Sequence, residues 1–383
     1  MTRDGASRTH EERGRPFETK ARRTGPTVVL LLLALAPAHA SADGVTASTM
    51  VYVDDDDTQV VTPRVQLDKT IGEASLSAGY AADVWTSASI DVTTAATEAI
   101  TEQRDELFAS GTLELEDTTL SAGYRLSAET DYVSHGGSAS VARDLADGAA
   151  TVEGRVNLSI SDVGRSGDPT FSRSLFGIGG RLSWTQVLTA RALVQLGYEI
   201  ERLAGFQSSP YRWVALGGGG DGPLCAPAAI ACAPERHPDL RVRHSIAARG
   251  RYALPHGLAL GAGYRFYLDD WGIVSHTIEA NVRWGATEGL LLGLRYRLYV
   301  QGAADFTDAA DQFGIPSVRS SDRELFSQVS HRLMLEVVKT FHVGEVDLRL
   351  ALEGGATRFD YDGFGSFDAL NALTVGFSVQ VER

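Results

Sequence analysis

The stretch Leu258 to Leu268, LALGAGYRFYL, decides the fold. Leu258, Leu260, Ala262, Tyr264, Phe266 and Leu268 fall on one face, and Ala259, Gly261, Gly263, Arg265 and Tyr267 on the other. A period of two is a β-strand, and the apolar face is continuous. Leu292 to Val300 repeats the pattern, with Leu292, Leu294, Tyr296, Leu298 and Val300 opposing Gly293, Arg295, Arg297 and Tyr299. Val346 to Glu353 and Leu373 to Val381 alternate in the same way.

Extending the pattern predicts sixteen strands, near residues 46–53, 59–71, 74–90, 104–116, 119–133, 136–145, 150–162, 172–187, 192–204, 239–253, 258–268, 273–285, 290–301, 326–341, 346–360 and 369–381. The connections alternate in length. Short turns are expected at Gly72-Glu73, Asp117-Thr118, Ala146 to Gly148, Leu188-Thr189, Pro255 to Gly257, Thr287 to Gly289 and Val343 to Glu345. Longer polar loops fall between them, at 91–103, 163–171, 205–238 and 302–325. An even strand number, with short turns at one rim and long loops at the other, points to an all-β, antiparallel up-and-down transmembrane barrel with periplasmic turns and extracellular loops. A soluble sandwich shares the alternation but has no reason for the turn asymmetry. Tyr80, Tyr124, Tyr198, Tyr264 and Tyr296 on the apolar face, and Trp184, Tyr252 and Trp284 near the short-turn rim, are placed to serve as interfacial girdles.

Ahead of the strands, Arg3, Arg8, Arg13, Arg15, Lys20, Arg22 and Arg23 precede the apolar run Val28 to Ala36 and the small-x-small site Ala38-His39-Ala40. This order reads as a secretory signal peptide over 1–40, with the barrel domain over 41–383. The run is too short to cross about 30 Å of hydrocarbon as a helix. The expected location is therefore the bacterial outer membrane, in contact with its lipid.

Composition narrows the function. The 383 residues carry 35 Lys+Arg against 49 Asp+Glu, a formal charge of −14, which disfavours a phosphate-backbone binder, so no nucleic-acid partner is expected. A hydrophobic content of 43% is too high for a disordered chain. The Gly217 to Gly220 run is followed by no helix and no Gly-Lys-Ser/Thr, so it is no phosphate cradle and no cofactor is expected.

The chain resembles the bacterial outer-membrane proteins grouped as domain-of-unknown-function family 3570. The resemblance rests on Val163-Gly164-Arg165-Ser166-Gly167-Asp168-Pro169 with Phe171 to Ser174, on Ser209-Pro210-Tyr211-Arg212, on Tyr264-Arg265-Phe266-Tyr267 with Asp269-Asp270-Trp271-Gly272, and on Gln301 to Phe306. It implies an outer-membrane barrel and assigns no activity.

By alternation the inward faces collect Arg241, Arg243, Arg249, Arg251, Arg265, Arg283, Arg295 and Arg297, and the carboxylates Glu199, Glu201, Glu279, Asp347 and Glu353. Charges inside a barrel must be hydrated or paired. Two readings follow. Unpaired arginines would give a porin-like channel or transporter for small solutes or ions, selective for anions. Arginine–carboxylate networks would instead hold shut a non-conducting scaffold that presents loops to a partner. Sixteen strands leave an aqueous channel unless loop 205–238 or 302–325 folds inward.

Cys225 and Cys232 in loop 205–238 are expected to form a disulfide in an oxidising compartment. The long-loop rim is rich in aspartate, with Asp54 to Asp57, Asp162, Asp168, Asp269, Asp270, Asp305, Asp308, Asp311, Asp360 and Asp362. These residues lack the spacing of a calcium loop, so a solvated rim is expected and no metal site. His276 follows Asp269 and Asp270, and His135 follows Asp131 and Ser134. Such pairs would suit a hydrolase at the rim, but no nucleophile motif accompanies them, and no enzyme is expected.

Overall fold

A computed structural model describes residues 43–87, 100–216, 225, 231–308 and 315–383. The leader over 1–40, the glycine run 217–220 and Asp311 lie outside these residues.

The strands are β1 (Gly44–Asp54), β2 (Thr58–Ile71), β3 (Ala74–Ser87), β4 (Ile100–Leu115), β5 (Thr118–Ala128), β6 (Tyr132–Leu145), β7 (Ala150–Val163), β8 (Arg173–Thr189) and β9 (Ala192–Gly205). Then come two short strands, β10 (Trp213–Leu216) and β11 (Ala231–Pro234). They are followed by β12 (Leu240–Ala253), β13 (Leu258–Asp269), β14 (Val274–Thr287), β15 (Leu290–Gln301), β16 (Ser327–Val343), β17 (Val346–Asp362) and β18 (Ala369–Glu382). All but β10 and β11 join one antiparallel ring, in which β1 closes on β18 from Gly44↔Glu382 to Asp54↔Ala372. The result is a closed antiparallel barrel of sixteen strands, which leaves no unpaired sheet edge. β10 and β11 form a separate two-stranded sheet within the loop between β9 and β12.

Side-chain direction follows from register. Partners in an antiparallel ladder share a face, so the inward set can be traced from strand to strand, for example Arg249↔Gly263↔Glu279↔Arg297↔Arg332. The other set is apolar and open to the surroundings. Leu182, Val156, Ile160 and Leu335 are each 57–60% exposed. A sandwich in water would bury such a face, whereas a barrel in hydrocarbon must present it. This inversion, added to the turn asymmetry, makes the fold that of an outer-membrane barrel.

Two local expectations are corrected. The fifth and sixth expected strands met at Ser134-His135, but the chain turns at 129–131, where the Glu129 amide donates to the Tyr132 carbonyl at 2.7 Å. β6 therefore starts at Tyr132, four residues before the expected 136. The turn expected at Leu188-Thr189 falls at 190–191, because a register shift between Val187 and Thr189 extends β8 by the extra residue of a bulge. The strand expected to reach residue 90 is described as far as Ser87.

Candidate functional site

Every charged residue expected in the lumen lies on the inward face by register. The structure then divides them. Arg243 bonds Glu201 at 3.0 Å across the β9–β12 ladder, Arg283 bonds Glu336 at 3.1 Å, and Arg297 stands 3.7 Å from Glu279. Asp347 contacts His342 at 2.6 Å. Arg249, Arg251, Arg265 and Arg295 have no carboxylate within ion-pair distance among the described residues; Arg265 lies 5.4 Å from the Tyr267 ring centre. Arg249, Arg251, Arg283, Arg295, Glu279 and Glu353 line a recess of about 240 Å³ in the wall formed by β12 to β17. Arg181, directly across from Glu199 in the β8–β9 ladder, also faces inward. The sequence reading missed it because Gly177, Gly179 and Gly180 blur the alternation of β8.

The opposite wall has the other sign. The inward faces of β2 to β5 carry Asp68, Asp83, Glu102, Glu106 and Glu114 against Arg64, Arg104 and Arg125. Arg104 is bonded to Asp83, Arg125 approaches Glu106 at 3.2 Å, and Arg64 stacks 4.3 Å from the Phe108 ring centre. Fixed charges segregated across a water-filled lumen create a transverse field.

Arg241 does not line the lumen as expected. It is buried at the long-loop rim, where its Nε donates to Asp269 Oδ2 at 2.9 Å and its guanidinium sits 4.1 Å from the Trp271 ring centre. It belongs to a loop assembly that the sequence reading raised only as a possible plug.

That assembly has its own apolar core of Trp271, Ile273, Ala304, Phe306 and Leu325, all buried. Asp269 shapes the turn beneath it by accepting the Trp271 and Ile273 amides, each at 3.0 Å. Gly272 holds φ at +87°, and a Cβ there would run into the Asp305 carboxylate, so only glycine fits. The two long loops are zipped together by reciprocal backbone bonds between Arg236 and Arg319, at 3.0 and 2.7 Å. Their shared centre is Glu235. Its carboxylate accepts the Ser209 amide at 2.9 Å, the Ser320 hydroxyl at 2.7 Å and the Ser321 amide at 3.3 Å, with Arg212 at 3.5 Å and His237 Nε2 at 3.3 Å. Burial alone would raise the Glu235 pKa, but the His237 contact, the Arg212 charge and the Ser209 amide outweigh it and bring it down to about 2.

The assembly spans the mouth. Arg212 bonds Asp322 of the β15–β16 loop at 2.9 Å, while the adjacent Tyr211 donates to Asp131 of the β5–β6 turn and accepts the Ser166 amide. Those two hairpins stand half-way round the ring from each other. Arg323 ties the same loop to Asp56 between β1 and β2, at 2.9 Å. Cys225 and Cys232 are joined in a disulfide within the β9–β12 loop.

The motifs behind the family resemblance converge here. Ser166, Tyr211, Arg212, Asp269, Trp271, Gly272, Asp305 and Phe306 all build or anchor the cap. Nothing in the sequence pairs Glu235 with Ser320, which lie 85 residues apart.

Several of the described rim aspartates serve turns. Asp54 Oδ1 accepts the Asp56 and Thr58 amides, and Asp168 Oδ1 accepts the Thr170 amide. Among the described residues no group of three or more His, Cys, Asp or Glu is arranged to hold a metal ion. His135 and His276 turn outward and bond Tyr124 and Tyr264, away from Ser134 and Asp269.

No curated protein sequence matches the chain. Among solved structures, the ferric enterobactin receptor PfeA is 12% identical with a TM-score of 0.44, over 83% of this chain and 54% of that one. The chain thus spans about half the length of that receptor. A bacterial polysaccharide outer membrane secretin is 9% identical with a TM-score of 0.46, over 89% and 99% of the two chains. OprD of Pseudomonas aeruginosa is 10% identical with a TM-score of 0.40, over 88% and 94%. Residues 177–352, from within β8 to within β17, match the family described as protein of unknown function (DUF3570), which together with the sixteen-stranded barrel supports an uncharacterised outer-membrane barrel family.

Proposed function

We propose that the barrel conducts small anionic solutes through an arginine-lined lumen whose outer mouth is narrowed by the cap. The observation that carries this reading is the set Arg249, Arg251, Arg265 and Arg295, four guanidinium groups on one wall without carboxylate partners among the described residues. A lumen stapled purely for stability would pair them, because an unpaired charge contributes nothing to closure. In a planar bilayer under a salt gradient, the folded barrel is expected to show a reversal potential favouring anions. A cation-selective current would overturn the reading.

A second reading is favoured by the cap itself, which crosses the mouth. In that reading the barrel is a non-conducting scaffold whose outer surface meets a partner. Silence from a barrel shown to be folded by heat-shifted gel mobility would favour it. Neither reading gives the protein a catalytic role. Export fits both, with residues 1–40 as the cleaved leader. Amino-terminal sequencing of the membrane-extracted protein is expected to start at Ser41, and a start upstream of Val28 would refute cleavage.

A further inference from the structure

The outward face carries a repeated pair that the channel reading does not use. Tyr124 Oη lies 2.6 Å from His135 Nδ1, Tyr198 2.9 Å from His244, Tyr264 2.7 Å from His276, and Tyr296 2.8 Å from His331. In a fifth pair, Tyr80 donates to Asp105 at 2.5 Å. In every case the tyrosine is on a strand rising to the long-loop rim. Its partner is on the next strand, two residues nearer that rim than the residue directly opposite, as His135 is to Gly137 and His331 to Leu333.

The pairs form a level ring. Following cross-strand partners from Tyr80 leads through Leu107 to Leu126, and Tyr124 lies two residues below it. From Tyr198 the path leads through Ile246 to Phe266, with Tyr264 two residues below. From Tyr264 it leads through Ile278 to Leu298, with Tyr296 two below. From Tyr124 to Tyr198 the drop is four residues over four strands. A drop of one residue per strand is what strand tilt requires of side chains at one height.

The ring marks a chemical boundary. Between it and the short turns the outward side chains are apolar, apart from Lys69, Thr118, Arg143, Gln186, Thr189, Thr287 and Lys339 close to the turns themselves. Above it charged groups appear, namely Asp105, Asp162, Arg202 and Arg358. Such a change on a lipid-facing surface is the edge of the hydrocarbon.

What each imidazole presents depends on its tautomer. A tyrosine O–H donating to Nδ1 leaves the proton of the neutral ring on Nε2. Among the described residues no other partner takes Nε2 of His135, His244, His276 or His331, so in that tautomer each shows an N–H donor outward at the headgroup level. Beside His244, on the adjacent strand, Arg202 is exposed and has no carboxylate within ion-pair distance among the described residues, whereas Arg358 near His331 is paired with Asp360 at 2.7 Å. Donors and a free guanidinium at a lipid headgroup boundary match phosphate oxygens.

We propose that the Tyr–His ring binds lipid phosphate at the outer leaflet, with Arg202 and His244 as its strongest position. The four Tyr–His pairs lie on β5–β6 and on β9 to β16, more than one side of the barrel, which suits lipid rather than a single protein docked on one side.

The test is native mass spectrometry of the barrel folded in detergent, offered dimyristoyl phosphatidic acid or dimyristoyl glycerol. The wild-type barrel is expected to retain the phosphate lipid at a several-fold lower concentration than the phosphate-free one. Arg202→Gln with His244→Leu is expected to reduce that preference several-fold, and His244→Gln, which keeps an N–H donor, to preserve most of it. Equal retention of the two lipids by the wild type, or an unchanged preference in the double variant, overturns the proposal. So does a concentration-dependent association of barrels that the double variant abolishes, which would make the ring a contact between copies. Should the double variant not fold by gel mobility, Arg202→Gln alone gives the same reading. The readout does not depend on conductance, so failure here leaves the channel reading untouched.

Discussion

Glu235→Ala is expected to open the outer mouth, raising single-channel conductance several-fold and exposing both long loops to protease. The carboxylate is buried and gathers donors from both loops, so its loss leaves Arg212 and His237 facing a cavity. Its pKa is lowered from 4.5 to about 2, so the interaction with the charged form contributes on the order of 3 kcal/mol, roughly a hundredfold in the closed-to-open equilibrium. The sign follows from the depression. The contribution is complete above the ordinary carboxylate pKa and is lost as pH falls through the lowered one. The wild-type cap is therefore expected to loosen between about pH 4.5 and 2, and Glu235→Ala to show no such transition. Protease sensitivity of the loops across that range checks both statements. An alanine variant as resistant as the wild type at pH 7 would show that Glu235 does not hold the cap.

The triple variant Arg249→Ala, Arg265→Ala, Arg295→Ala is expected to shift a conducting barrel away from anions. A unit charge about 7 Å from a permeating ion in water contributes about 0.6 kcal/mol before screening. Three of them are worth on the order of tenfold in the anion-to-cation ratio at low salt, with less at high salt. The matching lysine variants keep the charge and are expected to keep the selectivity, because the proposed filter is a field and not a shaped contact. Unchanged reversal potentials in the alanine triple would make these arginines structural. If Glu235→Ala raises conductance while the arginine triple changes only selectivity, the cap limits flux and the wall selects.

In the proposed reading, conduction and closure reside in different parts of the chain. In the wall from β12 to β15 each arginine stands on a strand paired on both sides. The cap is made of loops fixed to one another by a small apolar core and one buried carboxylate. Most of the motifs behind the family resemblance lie in loops, with Tyr264 to Tyr267 on β13 the exception. This is the usual division in a barrel, where the lipid-facing surface needs only to be apolar and the loops are free to specialise.

The sequence by itself determined the barrel, its strand number, the orientation of its rims and the face of every arginine named as inward. Those properties depend on a period of two and on turn length, which are local and repeat sixteen times. It also determined that Cys225 and Cys232 are near enough in the chain to join. Only the tertiary structure decided which arginines are paired, that Arg241 belongs to the cap, that Glu235 meets Ser320, and that outward tyrosines meet histidines on the next strand. Each of these depends on register or on contacts between segments far apart in the chain. A shift of one residue would move a side chain to the other face, and a shift of two would separate Tyr264 from His276 while leaving the alternation intact. The pattern of apolar and polar residues is the same for every even shift, so it cannot select the pairs. Closure of the ring and packing of the loops select them.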